Sequence, residues 1–168
     1  MADKVKNEDI IAKRLLEVFG KRGLTFAAAE SCTGGMTLER LTAVAGSSSV
    51  VEGGVVSYSN NVKIKVLGVK EDTLDCYGAV SEETALQMAE GVRRVTGALI
   101  AVSITGIAGP GGGSDEKPVG TVCFGVSTKN MKKTETKHFG ALLSREEIRR
   151  LASDHALTLA LSAAEKEI

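Results

Sequence analysis

The sequence predicts an α/β protein with a parallel core and a mixed sheet, and three observations predict it. Helix-period segments separate the first three apolar runs, as crossover connections between parallel strands require. Two later runs, 119–128 and 132–139, are divided only by a short turn at Lys129-Asn130, so they pair as a hairpin that closes the sheet. No internal repeat and no linker interrupts the pattern, which makes the 168 residues one domain over 1–168.

Each element follows from local chemistry. Asn7 is placed to cap a first helix on which Ile10, Ile11, Leu15, Val18 and Phe19 recur at helical spacing, and Gly23 suits its C′ position. Residues 25–29 are apolar on both faces, as a buried strand is. A Ser-Cys-Thr-Gly-Gly turn leads into a helix over 36–45, broken by Ala45-Gly46-Ser47-Ser48-Ser49. A second strand spans 50–59, and its Gly53-Gly54 pair signals a bulge or close backbone approach. Short helices follow at 62–67, carrying Lys63, and at 71–77. Ser81 caps a longer helix with Glu82 and Glu83 in its first turn, where the helix dipole favours negative charge. Gly97 ends it, and residues 98–104 form the clearest strand in the chain. The glycine-rich stretch 105–113 has strong strands close on both sides, so it reads as a site loop rather than a linker. The 132–139 strand alternates polar residues, which fits a sheet edge. Ser144 with Glu147 forms a capping box for a last helix to about residue 165.

Composition narrows the function. Formal net charge is zero, so no global field points to nucleic acid or a membrane surface, although Arg93-Arg94 and Lys132-Lys133 are local basic pairs. The charged N-terminus is no secretory signal, and no apolar run is long enough to span a bilayer. Cys32, Cys76 and Cys123 are odd in number and widely spaced, so they read as reduced thiols of a cytoplasmic protein. No His/Cys cluster has metal-ligand spacing, and neither His138 nor His155 lies near a turn that reads as a site, which disfavours a Ser-His-Asp triad. No metal and no cofactor are expected.

Ligands of an open parallel sheet sit outside the carboxyl ends of its strands. Three turns share that predicted edge: residues 30–35, 58–63 and 105–110. Alone, the first reads better as a helix N-cap made by Ser31 or Thr33 than as a site. Beside the other two it reads as a site, with Ser31 as nucleophile. Lys63 is its candidate base, provided burial lowers the lysine's pKa toward neutrality. Tyr58 would orient that base or donate to a substrate carbonyl. Ser48 is a competing nucleophile, which a crossover helix would carry to the opposite edge, and Cys32 a third, better read as core. The glycines at 105–113 lack a P-loop's Gly-Lys-Ser/Thr, and as a phosphate cradle they are a weak signal.

These residues carry a recognisable pattern: Ala-Glu-Ser-Cys-Thr-Gly-Gly at 29–35, Ala-Gly-Ser-Ser at 45–48, Tyr-Ser-Asn-x-x-Lys at 58–63, Leu-Gly-Val at 67–69, Gly-Ala-Val-Ser at 78–81, Ser-Ile-Thr-Gly-Ile-Ala-Gly-Pro-x-Gly-Gly at 103–113 and Lys-Pro-Val-Gly-Thr-Val at 117–122. Nearly the whole chain resembles the C-terminal domain family of the competence/damage-inducible CinA proteins. Its stand-alone members are nicotinamide-nucleotide amidases, the NMN deamidases of PncC type. The resemblance implies a three-layer α/β/α fold, similar to anticodon-binding domains, with a five-stranded sheet in order 2-1-3-4-5 and the fourth strand antiparallel. It implies hydrolysis of nicotinamide mononucleotide to nicotinate mononucleotide and ammonia in pyridine nucleotide recycling, by a Ser/Lys pair that maps to Ser31 and Lys63. Some relatives carry a molybdopterin-binding-like N-terminal domain that this sequence does not include.

On this reading the substrate-binding candidates are Glu30, Thr33, Gly34, Gly35, Asn60, Thr105, Gly106, Gly109 and Arg145. Amides at 33–35 or at Gly106 would hold the oxyanion, and Arg145 would meet the 5′-phosphate. The expected partners are a small pyridine mononucleotide and further copies of the chain in a homo-oligomer, with no direct nucleic acid and no membrane. Two rival readings are a non-catalytic nucleotide-binding module and a regulatory protein of DNA uptake or repair.

Overall fold

The computed structural model describes residues 9–166. Six helices and five strands run α1 (Ile10–Arg22), β1 (Phe26–Glu30), α2 (Met36–Thr42), β2 (Val51–Val56), α3 (Asn60–Lys65), α4 (Glu71–Tyr77), α5 (Glu82–Thr96), β3 (Ile100–Gly106), β4 (Thr121–Ser127), β5 (Lys132–His138) and α6 (Arg145–Lys166), with a 3₁₀ turn at Ser47–Ser49. The sheet order is β2-β1-β3-β4-β5. β1 pairs in parallel with both β2 and β3, while β4 is antiparallel to both β3 and β5. The mixed sheet and its order are those the family resemblance implies.

Alternation along the strands builds two cores. Phe26, Ala28, Ile100, Val102, Ile104 and Phe124 face α1, α2 and α6. Ala27, Ala29 and Ala101 face the other way, onto Leu67, Leu74, Met88 and Val92 of the α3–α5 layer. β1 is buried along its whole length, because it has a strand on each side and helices on both faces. The sheet side of this second core is made of small residues, Ala27, Ala29, Ala101 and Gly125, which lets α5 lie close. A Cβ on Gly125 would come 2.4 Å from Ala85 O, and one on Gly91 would come 2.1 Å from Leu67 O. Ser103 Oγ uses the same proximity to donate to Ala85 O at 2.5 Å.

Several boundaries differ from the sequence expectation for physical reasons. Asn7 lies outside the described residues, and the α1 cap is Asp9, whose carboxylate accepts from Ala12 N–H at 3.2 Å. β2 ends at Val56 because the next residues turn to make Ser59 the N-cap of α3, which starts at Asn60 rather than at 62. β3 extends to Gly106, since Thr105 and Gly106 still register with Cys123 and Val122 of β4. Those two residues are therefore the end of a strand, not a turn.

Candidate active site

Parallel β1, β2 and β3 bring three segments to one edge, as the topology requires. Ser31 follows the last residue of β1 and is fixed there by its own amide, which donates to Ile104 O at 2.9 Å. Lys63 sits one turn into α3 with its side chain turned inward, 1 % exposed. Its Nζ lies 3.2 Å from Ser31 Oγ, 2.7 Å from Ser57 O and 3.5 Å from Tyr58 O. All three neighbours are neutral oxygens. Burial pushes the lysine below its usual value, opposed only by the nearby Cys32 sulfur. Nζ donates to all three oxygens as it stands. Once the amine is neutral it keeps two N–H donors for the carbonyls and turns its lone pair to the Ser31 hydroxyl.

Ser31 and Lys63 open into a cleft of about 300 Å³ whose walls include Tyr58, Thr105, Gly106, Gly109 and Arg145. Arg145, at the start of α6, donates to Gly109 O at 2.6 Å and to Tyr58 Oη at 3.1 Å, tying two walls together. Thr105 Oγ1 donates to Ala79 O at 2.7 Å. Ala79, Val80, Ile107 and Ala108 add an apolar surface that sequence reasoning did not single out. The lining carries two cations, Lys63 and Arg145, and no carboxylate. A larger hollow of about 1080 Å³ lies between α1 and α2, but it mixes acidic and basic side chains and holds no nucleophile–base pair. Among the described residues no cluster of His, Cys, Asp or Glu is arranged to hold a metal ion.

Other sequence candidates are placed differently. Glu30 is fully buried, and its carboxylate accepts from the amides of Gly35 (3.1 Å), Thr37 (3.1 Å) and Leu38 (2.9 Å). It caps α2, and a carboxylate at the positive end of a helix is a stronger acceptor than a hydroxyl. Glu30 therefore lies under α2 and outside the cleft lining, and it, rather than Ser31 or Thr33, satisfies the amides at the start of that helix. Thr33 Oγ1 is buried with no hydrogen-bond partner. The Gly34 amide donates to Ser31 O at 3.0 Å, so the amides of Gly34 and Gly35 are both engaged within the turn. Asn60 is exposed at the start of α3, outside the cleft lining. Ser48 lies in the exposed 3₁₀ turn that precedes β2, at the opposite end of the parallel strands from Ser31. Cys32 is 6 % exposed, and burial pushes its thiol up to about 12, so it stays protonated.

Gly106 shares the cleft with Ser31. Even-numbered residues of β3 direct their backbone toward β1: Ile100 N–H donates to Thr25 O, and Ile104 O accepts from Ser31 N–H. Odd-numbered ones turn to β4, as Ile107 N–H does to Thr121 O. Gly106 is the next even position beyond the Ser31 rung, so its N–H lies on the β1 side of β3, and the residue lines the same cleft as Ser31.

Comparison with known proteins gives the family. The family model for the CinA C-terminal domain matches residues 8–164.

This chain belongs to the CinA C-terminal domain family.

A CinA-like protein of Chloroherpeton thalassium is 59% identical over 112 residues, covering 67% of this chain and 27% of that protein. A putative competence-damage inducible protein of Caldanaerobacter subterraneus subsp. tengcongensis is 48% identical over 157 residues, covering 94% of this chain and 37% of the relative. The chain thus spans roughly a third of the length of the curated relatives it matches. Among solved structures, the competence/damage inducible protein CihA of Agrobacterium tumefaciens is 43% identical with a TM-score of 0.90, covering 98% of this chain and 99% of that one. A CinA superfamily protein of Klebsiella pneumoniae is 32% identical with a TM-score of 0.89, covering 96% and 99%. Among the described residues of this family member, no helix is long and apolar enough to cross a membrane.

Proposed function

We propose that this chain is an amidohydrolase that converts nicotinamide mononucleotide and water to nicotinate mononucleotide and ammonia through an acyl-enzyme on Ser31. The observation that carries the reading is the buried lysine amine 3.2 Å from the serine oxygen with no carboxylate to hold its proton. Lys63 takes the Ser31 proton as the Oγ attacks the carboxamide carbon. The carbonyl electrons move onto oxygen, beside the Gly106 N–H. A donor so placed lowers the barrier by roughly 3 kcal/mol in other hydrolases. Lys63 returns its proton to the departing nitrogen, and ammonia leaves. Water then attacks the acyl carbon, Lys63 accepts its proton, and the Ser31 oxygen leaves and is reprotonated. The chemistry is complete without a metal or cofactor.

The cleft supports the substrate class. Its apolar wall suits a pyridine ring, and Arg145 keeps donors beyond its two bonds for a phosphate. The motif resemblance to nicotinamide-nucleotide amidases selects the mononucleotide. The same reading places the protein in cytoplasmic pyridine nucleotide recycling, which its three free cysteines suit, and makes it a homo-oligomer.

The test is ammonia release from nicotinamide mononucleotide, with nicotinamide and NAD as controls. Turnover of the mononucleotide, lost in both Ser31→Ala and Lys63→Ala, is the expected result. Normal turnover in Ser31→Ala sinks the nucleophile assignment. Calorimetric binding without ammonia release replaces the enzyme with a nucleotide-binding module.

A further inference from the structure

The geometry points to Arg149 as a positioning residue that holds the peptide planes following Ser31 and so aims the Ser31 hydroxyl at Lys63. This rests on the reading of Ser31 as nucleophile. Arg149 lies on α6, far along the chain from Ser31. Its Nε donates to Cys32 O at 3.1 Å and its Nη2 to Thr33 O at 2.9 Å. A guanidinium is a rigid planar fork, so engaging two consecutive carbonyls with it fixes both peptide orientations at once.

In a trans peptide the N–H points opposite to the preceding carbonyl. Holding Thr33 O toward Arg149 therefore directs the Gly34 N–H away from it, and that N–H meets Ser31 O at 3.0 Å. The fork on α6 is thus connected to the nucleophile's own carbonyl by one peptide plane. The other anchors of the turn come from nearby chain or from the sheet: the Ser31 amide on Ile104 O, the Met36 amide that shares Thr33 O at 3.1 Å, and the Glu30 carboxylate under the start of α2. Arg149 ties the same turn to a separate helix. One helical turn earlier, Arg145 reaches Gly109 O and Tyr58 Oη. The first turns of α6 therefore brace the nucleophile turn with one arginine and the facing wall with the other.

The test compares wild type, Ser31→Ala, Arg149→Ala and Arg149→Lys by two readouts. One is kcat and KM for ammonia release from nicotinamide mononucleotide across pH. The other needs no substrate: the rate at which a fluorophosphonate modifies Ser31, followed by intact mass. Arg149→Ala is expected to lower both kcat and the modification rate by roughly tenfold or more, the scale expected of a sub-ångström to 1 Å misplacement. KM and the pH at which activity rises stay put, because neither the substrate contacts nor Lys63 is touched. Arg149→Lys, which reaches one carbonyl only, falls between. Rates within twofold of wild type overturn the proposal, as does a kcat loss that comes with a raised KM or a displaced pH limb. Should Arg149→Ala fail to fold, Arg149→Lys decides by the same criteria. Wild type that reacts no faster than Ser31→Ala refutes the nucleophile and the brace together. Reaction at Ser31 without nucleotide turnover refutes only the substrate, and the probe rates then judge the brace.

Discussion

Two basic side chains are buried, Arg40 on α2 and Lys63 on α3, and their surroundings differ. Arg40 is 5 % exposed and is held by Asp9 at 2.6 Å, Asp154 at 2.6 Å and Ser153 Oγ at 2.8 Å. Burial alone would push it down, but the hydrogen bonds and charges of the two aspartates outweigh that and keep it charged. Lys63 is buried as deeply and has only neutral oxygens around it. Burial therefore wins, and the lysine is pushed toward its neutral form. The contrast separates two uses of a buried positive side chain. Paired with carboxylates, it locks α1, α2 and α6 together. Left without one, it becomes a base.

The comparison can be broken most sharply at Lys63. Lys63→Met is expected to reduce ammonia release by about 10³-fold or more, since the residue acts in every proton transfer. Saturating single-turnover measurements should show the loss in the chemical step. The next largest effect lies at the other cation. Arg40→Met removes the nearer partner of two carboxylates, leaving them Arg150 at 3.7 and 3.9 Å, and should cost roughly 2–3 kcal/mol, below the 3–5 of a sealed pair because Asp154 also has a half-exposed side chain. In thermal unfolding that is a fall of roughly 5–10 °C, with kcat at permissive temperature unchanged.

Titration tests the same contrast more gently. Activity should rise with pH through the lowered Lys63 value and then level off, because only the neutral amine accepts a proton. Stability has a matching slope. Between the folded value and the unfolded 10.5, the unfolded chain binds the extra proton, so wild type gains stability as pH rises. Lys63→Met should lack that slope and melt higher at neutral pH, a gain that vanishes toward pH 10.5; an unchanged midpoint would show that the lysine carries no burial penalty. The smallest effect is at Asp9, whose carboxyl is held below 3.8 chiefly by its hydrogen bond to Arg40. Its contribution is present above the unfolded value and is lost as pH falls through the folded one. Asp9→Asn should therefore flatten the acid end of the stability curve and leave the alkaline end as it is.

What was legible in the sequence lay in short contiguous stretches. Helix and strand periods gave the element order, and the edge argument brought Ser31, Lys63 and Thr105 together. The motifs supplied the strand order through the family they resemble. Less legible were features set by contacts between distant stretches. Thr105 and Gly106 have turn-like sequence, but pairing with β4 keeps them in the ladder. Glu30 reads as a polar residue beside a nucleophile, yet three α2 amides claim its carboxylate. Arg149 carries no local signal at all, because the carbonyls it holds are more than a hundred residues away. The serine-rich break at residues 45–49 shows the reverse case: Ser48 has a suggestive motif, and strand direction alone removes it from the edge.

The position of β1 between β2 and β3 has a consequence for how the protein comes into being. Ser31 and Lys63 are 32 residues apart and could be brought near one another by β1, β2 and α3 alone. The strand that covers the other side of β1 is β3, which begins at Ile100, and the arginines of α6 come later still. A chain emerging from synthesis thus carries both reactive groups well before it has walls to put around them. Closing those long loops is the slow part of such a topology. Until then the unpaired edge of β1 is an open template for another strand, so the interval before β3 docks is when this chain is most exposed to aggregation.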